Sequence, residues 1–163
     1  GARKILEKYG RGEEKLPVFK MPHLRGWSVA AGRAWLPAIG RHEVLVADAA
    51  TWQETGRVAV KGQPVFVMAS PDGRQIWVNF AFPDNGWVQV IDTLSGKVVH
   101  TLQPGKAVLH MEFTPRGEAV WLSARDDNRV VIHDTRNFAK LGEIAAEAPS
   151  GIFFTSRAAR IGF

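Results

Sequence analysis

One motif returns in this chain at a blade-sized spacing, and that recurrence constrains the fold more than any other feature. Ser70-Pro71-Asp72-Gly73-Arg74-Gln75-Ile76-Trp77-Val78 comes back as Thr114-Pro115-Arg116-Gly117-Glu118-Ala119-Val120-Trp121-Leu122, 44 positions on. Val88-Gln89-Val90-Ile91-Asp92-Thr93 comes back as Val130-Val131-Ile132-His133-Asp134-Thr135, 42 positions on. A weaker early copy places Gly32-Arg33-Ala34-Trp35-Leu36 at the turn-and-Trp position and Val44-Leu45-Val46-Ala47-Asp48 at the strand-and-Asp position. A period of this length suits one four-stranded propeller blade, and missing such a repeat would misassign the whole fold.

Within the best copy the pattern predicts strands at 65–69, 75–80, 87–92 and 97–102. Pro71-Asp72-Gly73 and Leu94-Ser95-Gly96-Lys97 supply the turn residues between them. Asp48, Asp92 and Asp134 precede the last turn of each copy, and a carboxylate repeated in this way caps a turn rather than forming an active site. The reading is an all-β propeller fragment of about three to four four-stranded blades, at 19–62, 63–106 and 107–150, with a final strand at 151–156. Closed propellers have about 4–8 blades. An open arc exposes apolar sheet faces, so the chain is expected to belong to a longer protein, to self-associate, or to fold Ile5, Leu6, Leu16 and Val18 back on a blade.

At 163 residues and 45% hydrophobic content the chain can bury a core. No apolar run approaches the roughly 20 residues that cross a bilayer, and Gly1-Ala2-Arg3-Lys4 leads into no signal-like stretch. The lack of cysteine excludes disulfides and thiolate chemistry. A formal charge of +5 raises the question of an anionic partner. The basic residues are scattered over turns and strand ends, without the aromatic and lysine stripe of a nucleic-acid groove, so nucleic acid is not expected and a carboxylate-bearing small ligand is favoured over it. His-x-x-x-His, EF-hand, phosphate-loop and Gly-x-Ser-x-Gly patterns are all missing, so a metal is expected only inside a cofactor.

Two stretches resemble a known family. Ala148-Pro149-Ser150-Gly151-Ile152-Phe153-Phe154 is similar to the segment that opens the last strand over the haem d1 pocket of cytochrome cd1 nitrite reductases. Phe19-Lys20-Met21-Pro22-His23-Leu24-Arg25-Gly26-Trp27 falls where those reductases carry one of two active-site histidines. Within that superfamily Trp35-Leu36-Pro37-Ala38-Ile39-Gly40, Trp77-Val78-Asn79-Phe80-Ala81-Phe82-Pro83 and Arg157-Ala158-Ala159-Arg160-Ile161-Gly162 resemble the NirF-type haem d1 biosynthesis proteins. The place of the second reductase histidine is taken by Lys61-Gly62-Gln63-Pro64-Val65-Phe66, and nitrite reduction benefits from two proton donors. The resemblance therefore implies a haem d1 biosynthesis protein of denitrification, built on an eight-bladed cytochrome cd1-like propeller. It would bind haem d1 or a late precursor in its channel and assist maturation, with an oxidoreductase-like step left open. It also implies the periplasm as compartment, and nitrite reductase and other maturation proteins as partners. The alternatives are a non-catalytic propeller binding module and, less favoured, the reductase domain itself.

The resemblance makes His23 an iron ligand or proton donor, where a lone His otherwise reads as an ordinary loop side chain. It sets Gln63 and Phe66 of the companion loop, and Ser150 and Gly151 of the last segment, beside the ligand. His110 lies in an inner strand, either facing the channel or packed beside Met111. Arg25, Arg125 and Arg157 serve equally as solvated loop charges or as bidentate partners of tetrapyrrole carboxylates. Trp35, Trp77 and Trp121 recur at one position and read as packing between blades. Phe80, Phe82 and Trp87 lie outside that position, in the longest and most aromatic loop of the chain, and are candidates for stacking on a macrocycle or for a lid above it. His42, His100 and His133 are expected at the surface.

Overall fold

The computed structural model describes residues 26–38 and 40–154. Its strands form three four-stranded antiparallel meanders. The first holds β1 (Ser28–Ala30), β2 (Arg33–Ala38), β3 (Glu43–Asp48) and β4 (Glu54–Ala59). The second holds β5 (Pro64–Ala69), β6 (Gln75–Phe80), β7 (Val88–Asp92) and β8 (Lys97–Leu102). The third holds β9 (Val108–Phe113), β10 (Ala119–Ala124), β11 (Arg129–Asp134) and β12 (Lys140–Ala145). Helix among the described residues is confined to one 3-10 turn, Arg125–Asp127.

Each meander has an inner and an outer edge, and burial tells them apart. β5 and β9 are buried along most of their length, whereas β8 alternates and β12 is exposed almost throughout. Neighbouring sheets meet through their first strands: Ser28 Oγ donates to the Val67 carbonyl at 2.9 Å, and the Val67 N–H donates to the Gly26 carbonyl at 2.8 Å. Sheets that share an inner edge and stack face to face are blades of a propeller.

Two apolar clusters fill the spaces between sheets. Trp35 joins Val44, Val46, Val67, Ile76, Val78 and Ile91 between the first and second, and Trp77 joins Met68, Val88, Val90, Met111 and Phe113 between the second and third. Both indoles are fully buried, at 0% exposure. Trp121, the third copy, is half-buried and meets Phe154 edge-on at 5.3 Å on the far side of the third sheet. Trp77 Nε1 donates to Gln75 Oε1, and Gln75 Nε2 donates to the Thr135 carbonyl of the next sheet, both at 2.9 Å.

At the lower end the turn chemistry repeats. Asp48 Oδ1 accepts from Thr51, Asp92 Oδ1 from Ser95, and Asp134 Oδ1 from the N–H groups of Arg136 and Asn137. The threonine after two of these aspartates reaches back to the inner hairpin: Thr93 Oγ1 donates to the Gly73 carbonyl at 2.8 Å, and Thr135 Oγ1 does the same to Gly117. Gly117, at φ +80°, presses on Pro71 of the previous blade, where an added Cβ would stand 2.9 Å from Cδ.

Two expectations need correction. His133 is buried in β11, not at the surface, because it pairs with Val120 on the face turned toward the second sheet. Its Nδ1 donates to the Phe138 carbonyl at 2.9 Å. The Phe138 ring packs on Trp77 and stacks on half-buried His100 at 4.2 Å. Residues 151–154 form no strand. The Ile152 N–H there donates to a side chain instead of a ladder, and the rest of the expected final strand lies outside the described residues, as do Ile5, Leu6, Leu16 and Val18.

Candidate functional site

The site begins with a slip in two ladders. The pairing of β5 with β6 shifts between Pro64 and Val67, and that of β9 with β10 shifts between Leu122 and Ala124. A bulge leaves an N–H without a ladder partner. Here Asn79 Oδ1 accepts from the Phe66 N–H at 2.8 Å, and Ser123 Oγ accepts from the His110 N–H at 2.9 Å. Asn79 and Ser123 each stand two residues after a repeated Trp, so Phe66 and His110 occupy equivalent places on consecutive innermost strands. Asn79 Nδ2 also donates to the Val108 carbonyl at 2.8 Å, fastening one bulge to the next strand.

The rings at these bulges meet. Phe66 stands edge-to-face on His110, with centroids 5.1 Å apart and planes at 84°. Phe153 continues the row, 5.2 Å from the His110 centroid at 42°. Its segment is held by the Ile152 N–H, which donates to His110 Nδ1 at 3.2 Å. A backbone N–H can only donate, so Nδ1 is the acceptor and the proton of the neutral imidazole sits on Nε2. Gly151 makes room for the Phe153 ring, since a Cβ there would fall 2.9 Å from Cε2.

Thus the structure brings Phe66, His110 and the segment leading from Ser150 and Gly151 into one place. Gln63 lies just before β5; its carbonyl accepts from the Ala81 N–H, and its Nε2 is buried without a partner. Phe80 is withdrawn from the candidate stacking residues: at 2% exposure it belongs to the core between the first two sheets. Trp87 packs beside that core with Lys61 Nζ 4.6 Å over its ring. Phe82 is 82% exposed on the upper loop between β6 and β7. Arg125 sits on the 3-10 turn, paired with Asp126 at 2.8 Å. His23, Arg25 and Arg157 lie outside the described residues.

Sequence reasoning missed Asn79, Ser123 and Phe153. The first two carry a signal, a polar side chain recurring inside an otherwise apolar strand. Among the described residues no group of three or more His, Asp or Glu is arranged to hold a metal ion, and no helix is long and apolar enough to cross a membrane. These side chains suit a planar organic ligand: the rings of Phe66 and Phe153, the His110 imidazole between them and, just before β5, the Gln63 amide whose Nε2 is buried without a partner.

Blades sharing an inner edge, three four-stranded meanders in succession, define part of a β-propeller. The chain belongs to the cytochrome D1 heme domain family, whose model matches residues 1–158. It is 54% identical to Protein NirF of Pseudomonas aeruginosa over 162 residues and 55% identical to Protein NirF of Stutzerimonas stutzeri. In each case the match takes in 99% of this chain and 41% of the relative, so the chain spans about two-fifths of the length of these curated relatives. Among solved structures it superposes on dihydro-heme d1 dehydrogenase NirN in complex with DHE, with TM-score 0.70, 26% identity and coverage of 83% of this chain and 31% of that one. The Kuenenia stuttgartiensis hydrazine synthase shares the fold at TM-score 0.70 and 21% identity, over 87% of this chain and 40% of that one.

Proposed function

We propose that this chain is part of a periplasmic haem d1 biosynthesis protein whose propeller binds a late haem d1 precursor in its channel and assists its maturation. The observation that carries the reading is the row in which Phe66 and His110, on the innermost strands β5 and β9, meet Phe153 of the segment after the third sheet in a cytochrome D1 heme domain. The NirN dehydrogenase, whose fold this chain shares, is in complex with DHE. When bound, such a precursor supplies the iron and conjugated ring at which redox chemistry takes place. The chain's own residues bind and orient. Arg25, Arg125 and Arg157 pair with carboxylate arms, Gln63 offers its orphaned amide, and His110 keeps the Ser150-Gly151 segment against the ligand through Ile152. His23 ligates the iron or moves a proton beside it.

Incubation of the intact protein with haem d1 tests this by visible absorbance. New bands that saturate with ligand are expected. His23→Ala is expected to abolish haem d1 formation while leaving the thermal midpoint unchanged. If the intact protein produces no spectral change, a binding module for another protein becomes the better reading.

A further inference from the structure

We infer that Asn128 is a positioning residue that sets the segment from Ala146 to Ile152 beside His110, an inference that rests on the haem d1 reading above. Asn128 ends the 3-10 turn between β10 and β11, where its backbone is left-handed, at φ 52° and ψ 45°, and its N–H returns to the Arg125 carbonyl at 3.1 Å. Asparagine visits that conformation more readily than most residues. Its side chain here reaches out of the turn. Asn128 Oδ1 accepts from the Ala148 N–H at 2.9 Å, and the Asn128 carbonyl accepts from the Ala146 N–H at 3.0 Å. Further along, the Ile152 N–H meets His110 Nδ1 at 3.2 Å. The segment is thus tied at one end to the turn and at the other to the imidazole.

The two bonds from Asn128 differ in kind. The carbonyl bond belongs to the blade pattern, since His42, in the same place before β3, accepts from the Val60 N–H at 2.9 Å. The amide bond does not. In the two earlier linkers a side chain of the following sheet takes the N–H: Gln89 Oε1 accepts from Lys61 at 2.8 Å, and Asp127 Oδ2 from Lys106 at 2.9 Å. The segment after β12 is held instead by a side chain of the sheet it leaves. The residue so held is strained. Ala148 has φ +40°, a conformation that costs a residue with a Cβ, and it precedes Pro149, which restricts its neighbour further. Such a backbone persists where its surroundings over-determine it, and such strain gathers at ligand-binding segments. By fixing Ala148, the Asn128 amide fixes the direction in which Pro149, Ser150 and Gly151 leave the sheet.

The test compares Asn128→Gly and Asn128→Asp with the parent in the intact protein. Glycine keeps the left-handed turn and the carbonyl bond and removes only the amide, whereas aspartate keeps an acceptor oxygen. Amide hydrogen exchange over residues 146–152 without ligand reads the fastening, and a haem d1 titration followed by visible absorbance reads its consequence. Asn128→Gly is expected to exchange faster at Ala148 and Ile152 and to bind haem d1 about three- to tenfold more weakly, the effect of one net hydrogen bond, with the thermal midpoint near that of the parent. Asn128→Asp is expected to restore both exchange and affinity. Parent-like exchange in Asn128→Gly overturns the inference. Faster exchange with parent-level affinity overturns it as well, because the bond then serves the fold alone, and so does a failure of Asn128→Asp to restore binding, because the acceptor is then not what was lost. Absence of binding by the parent overturns the haem d1 reading itself, and the role of Asn128 toward the ligand falls with it.

Discussion

Asp48, Asp92 and Asp134 show how a repeated residue does the same physical work three times. Hydrogen bonds to the charged form hold all three carboxyls below the ordinary aspartate value: from the Thr51 N–H and hydroxyl to Asp48, from the Ser95 hydroxyl and N–H to Asp92, and from the Asn137 and Arg136 N–H groups to Asp134. A depressed native pKa contributes stability that is present above the unfolded value of about 3.9 and is lost as pH falls through the native one. The triple change Asp48→Asn, Asp92→Asn, Asp134→Asn is expected to flatten the acid limb of stability below about pH 4, read as urea midpoints at successive pH values. Asn79 is the opposite kind of residue, buried and bonded on both sides. Asn79→Ala removes the partner of the Phe66 N–H and of the Val108 carbonyl, and at about 1–3 kcal/mol for each group the expected loss is roughly 2–6 kcal/mol in chemical denaturation.

At the scale of elements, the inner hairpin turns and the outer ones use glycine for different reasons. Gly96, at φ +65°, meets nothing within 4 Å of a built Cβ, so Gly96→Ala carries only left-handed backbone strain, about 1–2 kcal/mol. Gly117 adds to its positive φ a close approach to the stiff ring of Pro71. Gly117→Ala is therefore expected to cost about 1–3 kcal/mol more than Gly96→Ala in the same denaturation measurement. The strands themselves were largely legible: the predicted 75–80 and 97–102 coincide with β6 and β8, and β5 and β7 differ by one residue at their starts. Alternating apolar residues bounded by Pro, Asp and Gly carry that information locally. The bulges were not legible, because a ladder slip is decided by the partner strand and by the Asn79 and Ser123 side chains that satisfy the freed N–H groups.

For the whole molecule, stability resides in what lies between blades. Trp77 is enclosed by the second and third sheets, so Trp77→Ala is expected to lower stability by about 3–5 kcal/mol, measured as a shift of the urea midpoint of the intact protein. The sequence by itself determined the blade, its four strands and the capped turns, because each depends on contacts within about one 44-residue period. Only the tertiary structure decided which aromatic residues are buried and which stand in water. Phe80 and Phe82 are separated by a single residue, yet one is sealed between sheets and the other stands in water. Phe153 meets the His110 ring, with the Ile152 N–H bonded to that imidazole and Phe154 packed on Trp121. Burial is set by the neighbouring blade, and residues such as Phe66, His110 and Phe153 meet across spans that no local pattern encodes: 44 positions from the first to the second and 43 from the second to the third.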